Sequence, residues 1–100
     1  MADVVRLNDD EVRSRMAPLP GWELRDGALH RELRFGTFAD AFSFMTSVAF
    51  AAERMNHHPD WSNVYNRVTI RLSTHDVAGI SEHDLTLAGE ISAAYQRFSS

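Results

Sequence analysis

Chemistry in this sequence concentrates in two short stretches, NHHPDW from Asn56 to Trp61 and STH from Ser73 to His75. Neutral histidine gives or takes a proton near pH 7, so His57, His58 and His75 are candidate general acids and bases. Glu53 lies one helical turn before His57 and is placed to orient it, with Asp60 and Asp84 as further acids nearby in sequence. A three-histidine zinc site is the rival chemistry. It is disfavoured because adjacent histidines seldom converge on one metal and the usual i, i+4 pairing is missing. A purely structural reading also stands. A histidine at a helix end bonds the last carbonyls, Asp84 caps a helix, and Trp61 and Tyr65 fill a core or an interface. His30 and His83 then sit on solvated faces. Spacing alone leaves the proton-transfer site, the metal site and the structural domain all open.

The elements that must position these residues follow from pattern. Pro59 lacks an amide hydrogen and pushes His58 toward an extended backbone, so a helix arriving from the left ends at about His57. That helix is TFADAFSFMTSVAFAAERMN, with Thr37 as N-cap. Its residues Phe38, Ala41, Phe42, Met45, Ala49 and Ala52 form a stripe of the kind that faces a sheet. Phe44, Val48, Ala51 and Met55 form a second stripe, which predicts self-association into a dimer or a dimer of dimers. Earlier in the chain, Asn8 caps a short helix whose first turn is acidic and which stops before Pro18. GWELRDGALHRELRF alternates about Asp26-Gly27, the mark of a hairpin. After the histidines, a strand over about Trp61 to Tyr65 and a turn at Asn66-Arg67 lead into VTIRLST, where Val68, Ile70 and Leu72 alternate with polar residues. HDVAGI reads as a loop. Ser81 opens the last helix in an Asp variant of the capping box with Asp84, and Leu85, Ala88, Ile91, Tyr95 and Phe98 give it an apolar face. The expected fold is α+β: a four-stranded antiparallel sheet with three helices packed on one face, in the order α-β-β-α-β-β-α. If both hairpins share one sheet, the start of the third strand and the end of the fourth are neighbours. The histidine pair then meets His75 at one sheet edge.

Composition narrows the function classes. Residues 1–100 read as one domain, since a chain of 100 residues supports a single core. With 44% hydrophobic and 24% charged residues it has ordinary globular composition. No run of about 18 apolar residues offers a membrane span. The start, MADVVRLNDDEV, carries acids where a secretory leader needs a basic and then an apolar stretch, so a cytoplasmic location is expected. The absence of cysteine excludes disulfides, thiolate catalysis and cysteine-based zinc sites. Net charge is −4 and the ten basic residues, all arginine, are scattered singly, so no basic stripe is offered to a nucleic-acid backbone.

A family resemblance weighs between the open readings. AERMNHHPDWSNVYNRVTIRLSTHDVAGISEHD, residues 52–84, strongly resembles the pterin-4a-carbinolamine dehydratases. The motif runs through Glu53, His57-His58-Pro59, Tyr65, His75 and Asp84, each at the separation seen in that family. The likeness extends back through FADAFSFMTSVAFAAE and more loosely to LPGWEL. One departure is His83, where family members often carry arginine. The resemblance implies an enzyme that eliminates water from a 4a-hydroxytetrahydropterin to give the quinonoid dihydropterin, within recycling of the tetrahydrobiopterin-type cofactor. It implies no metal and no organic cofactor. His57 and His75 are then the acid/base pair, and His58 mainly holds the pterin. Glu53 and Asp84 orient and charge-tune the histidines, Trp61 walls the pocket, and backbone groups of Ser73 and Thr74 bond the pterin's amide edge. The partners implied are a small pterin substrate and further copies of the chain, with a tetramer favoured. The same family in animals also includes dimerisation partners of a transcription factor, a binding role separate from catalysis.

Overall fold

The computed structural model describes residues 4–99. Its elements run α1 (Asp9–Met16), β1 (Glu23–Arg25), β2 (Ala28–Arg34), α2 (Phe38–Met55), β3 (Asp60–Val64), β4 (Arg67–Leu72) and α3 (Glu82–Phe98), with a 3-10 turn at His75–Val77. The expected α+β architecture is therefore present. The four strands form one antiparallel sheet in the order β1-β2-β4-β3, so β4 lies inside, between β2 and the edge strand β3. Because the strands are antiparallel hairpins, alternate residues take alternate faces. Leu29, Leu33, Val68, Ile70 and Leu72 enter the core beneath the helices. His30, Glu32, Thr69 and Arg71 take the other face.

Local chemistry explains the boundaries. Asn8 and Glu11 close a capping box on α1, Thr37 caps α2 by accepting the Asp40 amide at 3.0 Å, and Ser81 and Asp84 close a capping box on α3. The β1–β2 turn is Asp26-Gly27, both with positive φ, as a tight hairpin requires. The second turn falls on Tyr65-Asn66, one residue earlier than expected, since Val64 pairs with Arg67. Asn66 is drawn into the turn because it is bonded to Phe35 twice, through its side chain and its carbonyl. α1 is tied to the start of α3 by a bidentate Arg15–Glu82 pair at 2.5 and 2.8 Å. The hydrogen bond from Arg15 holds the Glu82 carboxyl below its usual range.

Two expectations are corrected. The core stripe of α2 is Ala41, Phe44, Val48, Ala51 and Ala52, whereas Phe38, Phe42 and Ala49 are exposed. The helix is thus turned about a quarter of a revolution from the sequence reading, and Phe44, Val48 and Ala51, expected on a self-association stripe, are buried in the subunit instead. Apolar residues lie almost all round α2, so their periodicity does not set its phase. The Phe35–Phe44–Tyr95 cluster, with ring centroids 5.0 to 6.4 Å apart, does. His30 is also not simply solvated. It is half-buried between its neighbours Glu23 and Arg71, and its Nε2 is buried with no hydrogen-bond partner among the described residues.

Candidate active site

α2 ends at Met55, two residues before His57. Asn56 takes the left-handed conformation, φ 52°, a cap that asparagine tolerates well, and its amide reaches back to the carbonyls of Ala52 and Glu53. The His57 amide also bonds Ala52 O, at 3.0 Å. The chain therefore reverses one residue before the histidine pair. Pro59 then delivers it, extended, to β3. Asp60 at the start of β3 pairs with Arg71 near the end of β4, so the His58-Pro59 segment and the Ser73-Thr74-His75 segment leave the same end of the sheet.

The reversal assigns the histidines to different acids than spacing implied. Glu53 does not meet His57. Its Oε1 lies 3.0 Å from His58 Nε2, and both side chains are exposed. His57 Nε2 instead lies 2.6 Å from Asp84 Oδ1, with the His57 side chain 12% exposed and that of Asp84 at 0%. A carboxylate buried this completely must have its hydrogen-bonding capacity filled. Asp84 Oδ2 accepts from the Thr74 hydroxyl at 2.7 Å and from the Ser81 amide at 3.0 Å. Thr74 and Ser81 hydroxyls are 2.7 Å apart, and the His83 amide donates to Ser81 Oγ at 3.2 Å. One arrangement of protons satisfies the whole set. His83 N–H donates to Ser81, Ser81 O–H to Thr74, Thr74 O–H to Asp84, and His57 Nε2–H to Asp84. In that arrangement Nδ1 of His57 is the nitrogen left to meet a ligand.

His75 is exposed at the start of the 3-10 turn. It lines a cavity of about 320 Å³ with Ser73, Thr74 and Arg71. Thr74 joins the two halves of the site, since its hydroxyl binds Asp84 while the residue also borders the cavity of His75. Trp61, half-buried against the edge of the core, lines an adjacent cavity of about 260 Å³ with Asp60, His30 and Arg71. The His83 ring lies beside that of His57, with centroids 5.6 Å apart. No group of three or more histidines and acids among the described residues forms a metal-ligand cluster. Two features escaped sequence reading. The Thr74 and Ser81 hydroxyls act beyond the backbone and cap roles given to them, and only the closeness of Ser81 to Asp84 hinted at it. Arg71 borders both cavities, yet in sequence it is only the polar alternate of a strand.

Comparisons with known proteins identify the family. A chain of Prochlorococcus marinus strain MIT 9303 that carries the pterin-4-alpha-carbinolamine dehydratase name is 55% identical over 85 residues, 85% of this chain and 88% of its own. One from strain MIT 9515 under the same name is 46% identical over 91 residues, 91% of this chain and 95% of its own. The crystal structure of a transcriptional coactivator/pterin dehydratase from Brucella melitensis superposes with a TM-score of 0.87 at 38% identity, covering 90% of this chain and 98% of that one. The family model for pterin 4 alpha carbinolamine dehydratase matches residues 5–94, and the chain belongs to that family.

Proposed function

We propose that the protein dehydrates a 4a-hydroxytetrahydropterin by histidine acid/base catalysis, and so serves recycling of a tetrahydrobiopterin-type cofactor. The observation that carries this reading is the 2.6 Å hydrogen bond from His57 to a fully buried Asp84 whose other oxygen accepts hydrogen bonds from Thr74 and Ser81. An acid held this way fixes the imidazole's tautomer and orientation, as a base in proton transfer requires. In the reaction the bond from the 4a carbon to the hydroxyl breaks, a proton joins the departing oxygen, and water leaves. The adjacent ring nitrogen gives up its hydrogen, and its electron pair forms the new carbon–nitrogen double bond. His57 and His75 exchange these two protons. His58, braced by Glu53, holds the ring, Trp61 walls it, and the backbone of Ser73 and Thr74 bonds its amide edge. The decisive experiment measures dehydration of a synthetic 4a-hydroxytetrahydropterin by the purified protein. A rate no faster than the spontaneous one ends this reading.

A second role is favoured by a separate observation. Phe38, Phe42 and Phe50 on α2 are 49%, 56% and 65% exposed, an apolar surface outside the core. The protein self-associates through this face into a dimer or a dimer of dimers. A binding function on the same surface is the alternative to catalysis, in line with the coactivator designation of the Brucella relative.

A further inference from the structure

Of the arginines on the open face of the sheet, Arg67 and Arg71 are in no ion pair among the described residues, and only Arg71 of the two borders the cavities of His75 and Trp61. Arg25 and Arg34 each face an acid, Glu23 at 4.0 Å and Glu32 at 3.1 Å. Arg71 donates to the Ser73 hydroxyl at 3.3 Å, and among the described residues it forms no ion pair. A guanidinium presents a planar fork of donors that matches a carboxylate or phosphate, and most of this fork is unspent. Its place gives that surplus meaning, because Arg71 borders both the cavity of His75 and the cavity of Trp61. Beside it on β2, His30 also lines the cavity of Trp61, and its buried Nε2 has no hydrogen-bond partner among the described residues.

We propose that Arg71 binds an anionic group, a carboxylate or a phosphate, on the side chain of a pterin whose ring lies against His75. The inference rests on the proposed pterin site and deepens it by naming the class of substrate. Two acids also border the cavities, Asp26 and Asp60. Both are exposed, and Asp60 makes no ion pair with Arg71 although the two are register partners. Charges separated by water repel an incoming anion weakly, whereas a guanidinium in contact makes charge-assisted, bidentate bonds with it. A neutral side chain would leave the fork unused.

The test uses 4a-hydroxytetrahydropterins that share one ring and differ at C6: a methyl group, a carboxylate-terminated chain and a phosphate-terminated chain. Wild-type kcat/KM should favour at least one anionic substrate over the methyl compound by about tenfold, equivalent to about 1.4 kcal/mol. Arg71→Gln should bring that ratio close to unity, and Arg71→Lys should keep part of it. Which anion gains distinguishes an acid from a phosphate source. The fully oxidised pterins with the same side chains cannot dehydrate, and their Kd ratios read the role of Arg71 even without turnover. A failure of turnover with the Kd preference intact overturns the dehydratase reading and sustains this one. Equal Kd and kcat/KM across the side chains in the wild type, or a preference unchanged by Arg71→Gln, overturns it.

Discussion

At the scale of single residues, the histidines divide by the company they keep. His57 is backed by a buried acid, His58 by an exposed one, and His75 lines its cavity with no side-chain hydrogen bond among the described residues. Substituting His57 or His75 with alanine should lower kcat by roughly 10²–10⁴-fold, the range of a lost general acid or base. His58→Ala should chiefly raise KM. Steady-state kinetics on the three variants separate these outcomes, and a double variant that falls far below either single one would show that His57 and His75 share the work. Thr74 offers a sharper test of how His57 is held. Thr74→Val removes a donor to Asp84 and leaves the buried Ser81 hydroxyl without its acceptor, which should cost about 1–3 kcal/mol of stability. As a positioning residue, Thr74 should also affect kcat more than KM, and Thr74→Ser should restore both stability and rate. A loss of stability with kcat intact would confine Thr74 to the fold. The sequence singled out the three histidines and their neighbouring acids as candidates, but not which acid meets which histidine. A spacing of four joins Glu53 to His57 only while the helix continues, and the left-handed turn at Asn56 ends it first.

At the scale of elements, the sequence was legible wherever a local signal had one meaning. Asn8, Thr37 and Ser81 each precede a helix and each caps one, and Asp26-Gly27 makes the expected hairpin turn. Order and type of all seven helices and strands followed from such signals. Strand order did not. Alternation identifies a strand's faces but says nothing of which neighbour it takes, so β4 in the sheet interior had to be seen. The phase of α2 was illegible for a related reason, since a helix apolar on most sides can satisfy a core in more than one rotation. Ser81 shows an element and a site sharing a residue. It caps α3 and, at the same time, completes the hydroxyl chain behind Asp84. Ser81→Ala should therefore cost at least the ~1 kcal/mol of a lost cap. For a domain of this size that lowers Tm by about 4–8 °C. An unchanged melting curve would remove Ser81 from both roles.

At the scale of the whole molecule, one face of the helical layer is left unexplained by the subunit's own folding. The sheet buries its apolar side under α2 and α3, and the buried residues of α2 already complete that core. Phe38 and Phe42, with ring centroids 5.8 Å apart, and Phe50 add nothing to it, yet they keep large aromatic surface in water. No helix among the described residues is long and apolar enough to cross a membrane, so a membrane-spanning helix does not account for them. Burying each ring against a second copy would remove apolar surface at about 25 cal/mol per Å², enough for several aromatics to offset the entropy of association. A symmetric pairing of α2 helices uses the same patch on both subunits, as closed dimers do. Phe44, named by the sequence pattern for this contact, cannot test it: it is fully buried and touches Phe35 and Tyr95, so a charge there would unfold the subunit. Phe42 is the informative position. Phe42→Glu should leave the circular dichroism spectrum of the subunit unchanged while reducing the mass measured by light scattering to that of a monomer. If the wild-type protein already scatters as a monomer at micromolar concentration, the aromatic face is not a self-association surface. If Phe42→Glu is folded and still oligomeric, the contact lies on another face, and the exposed edge of β3 becomes the next place to look.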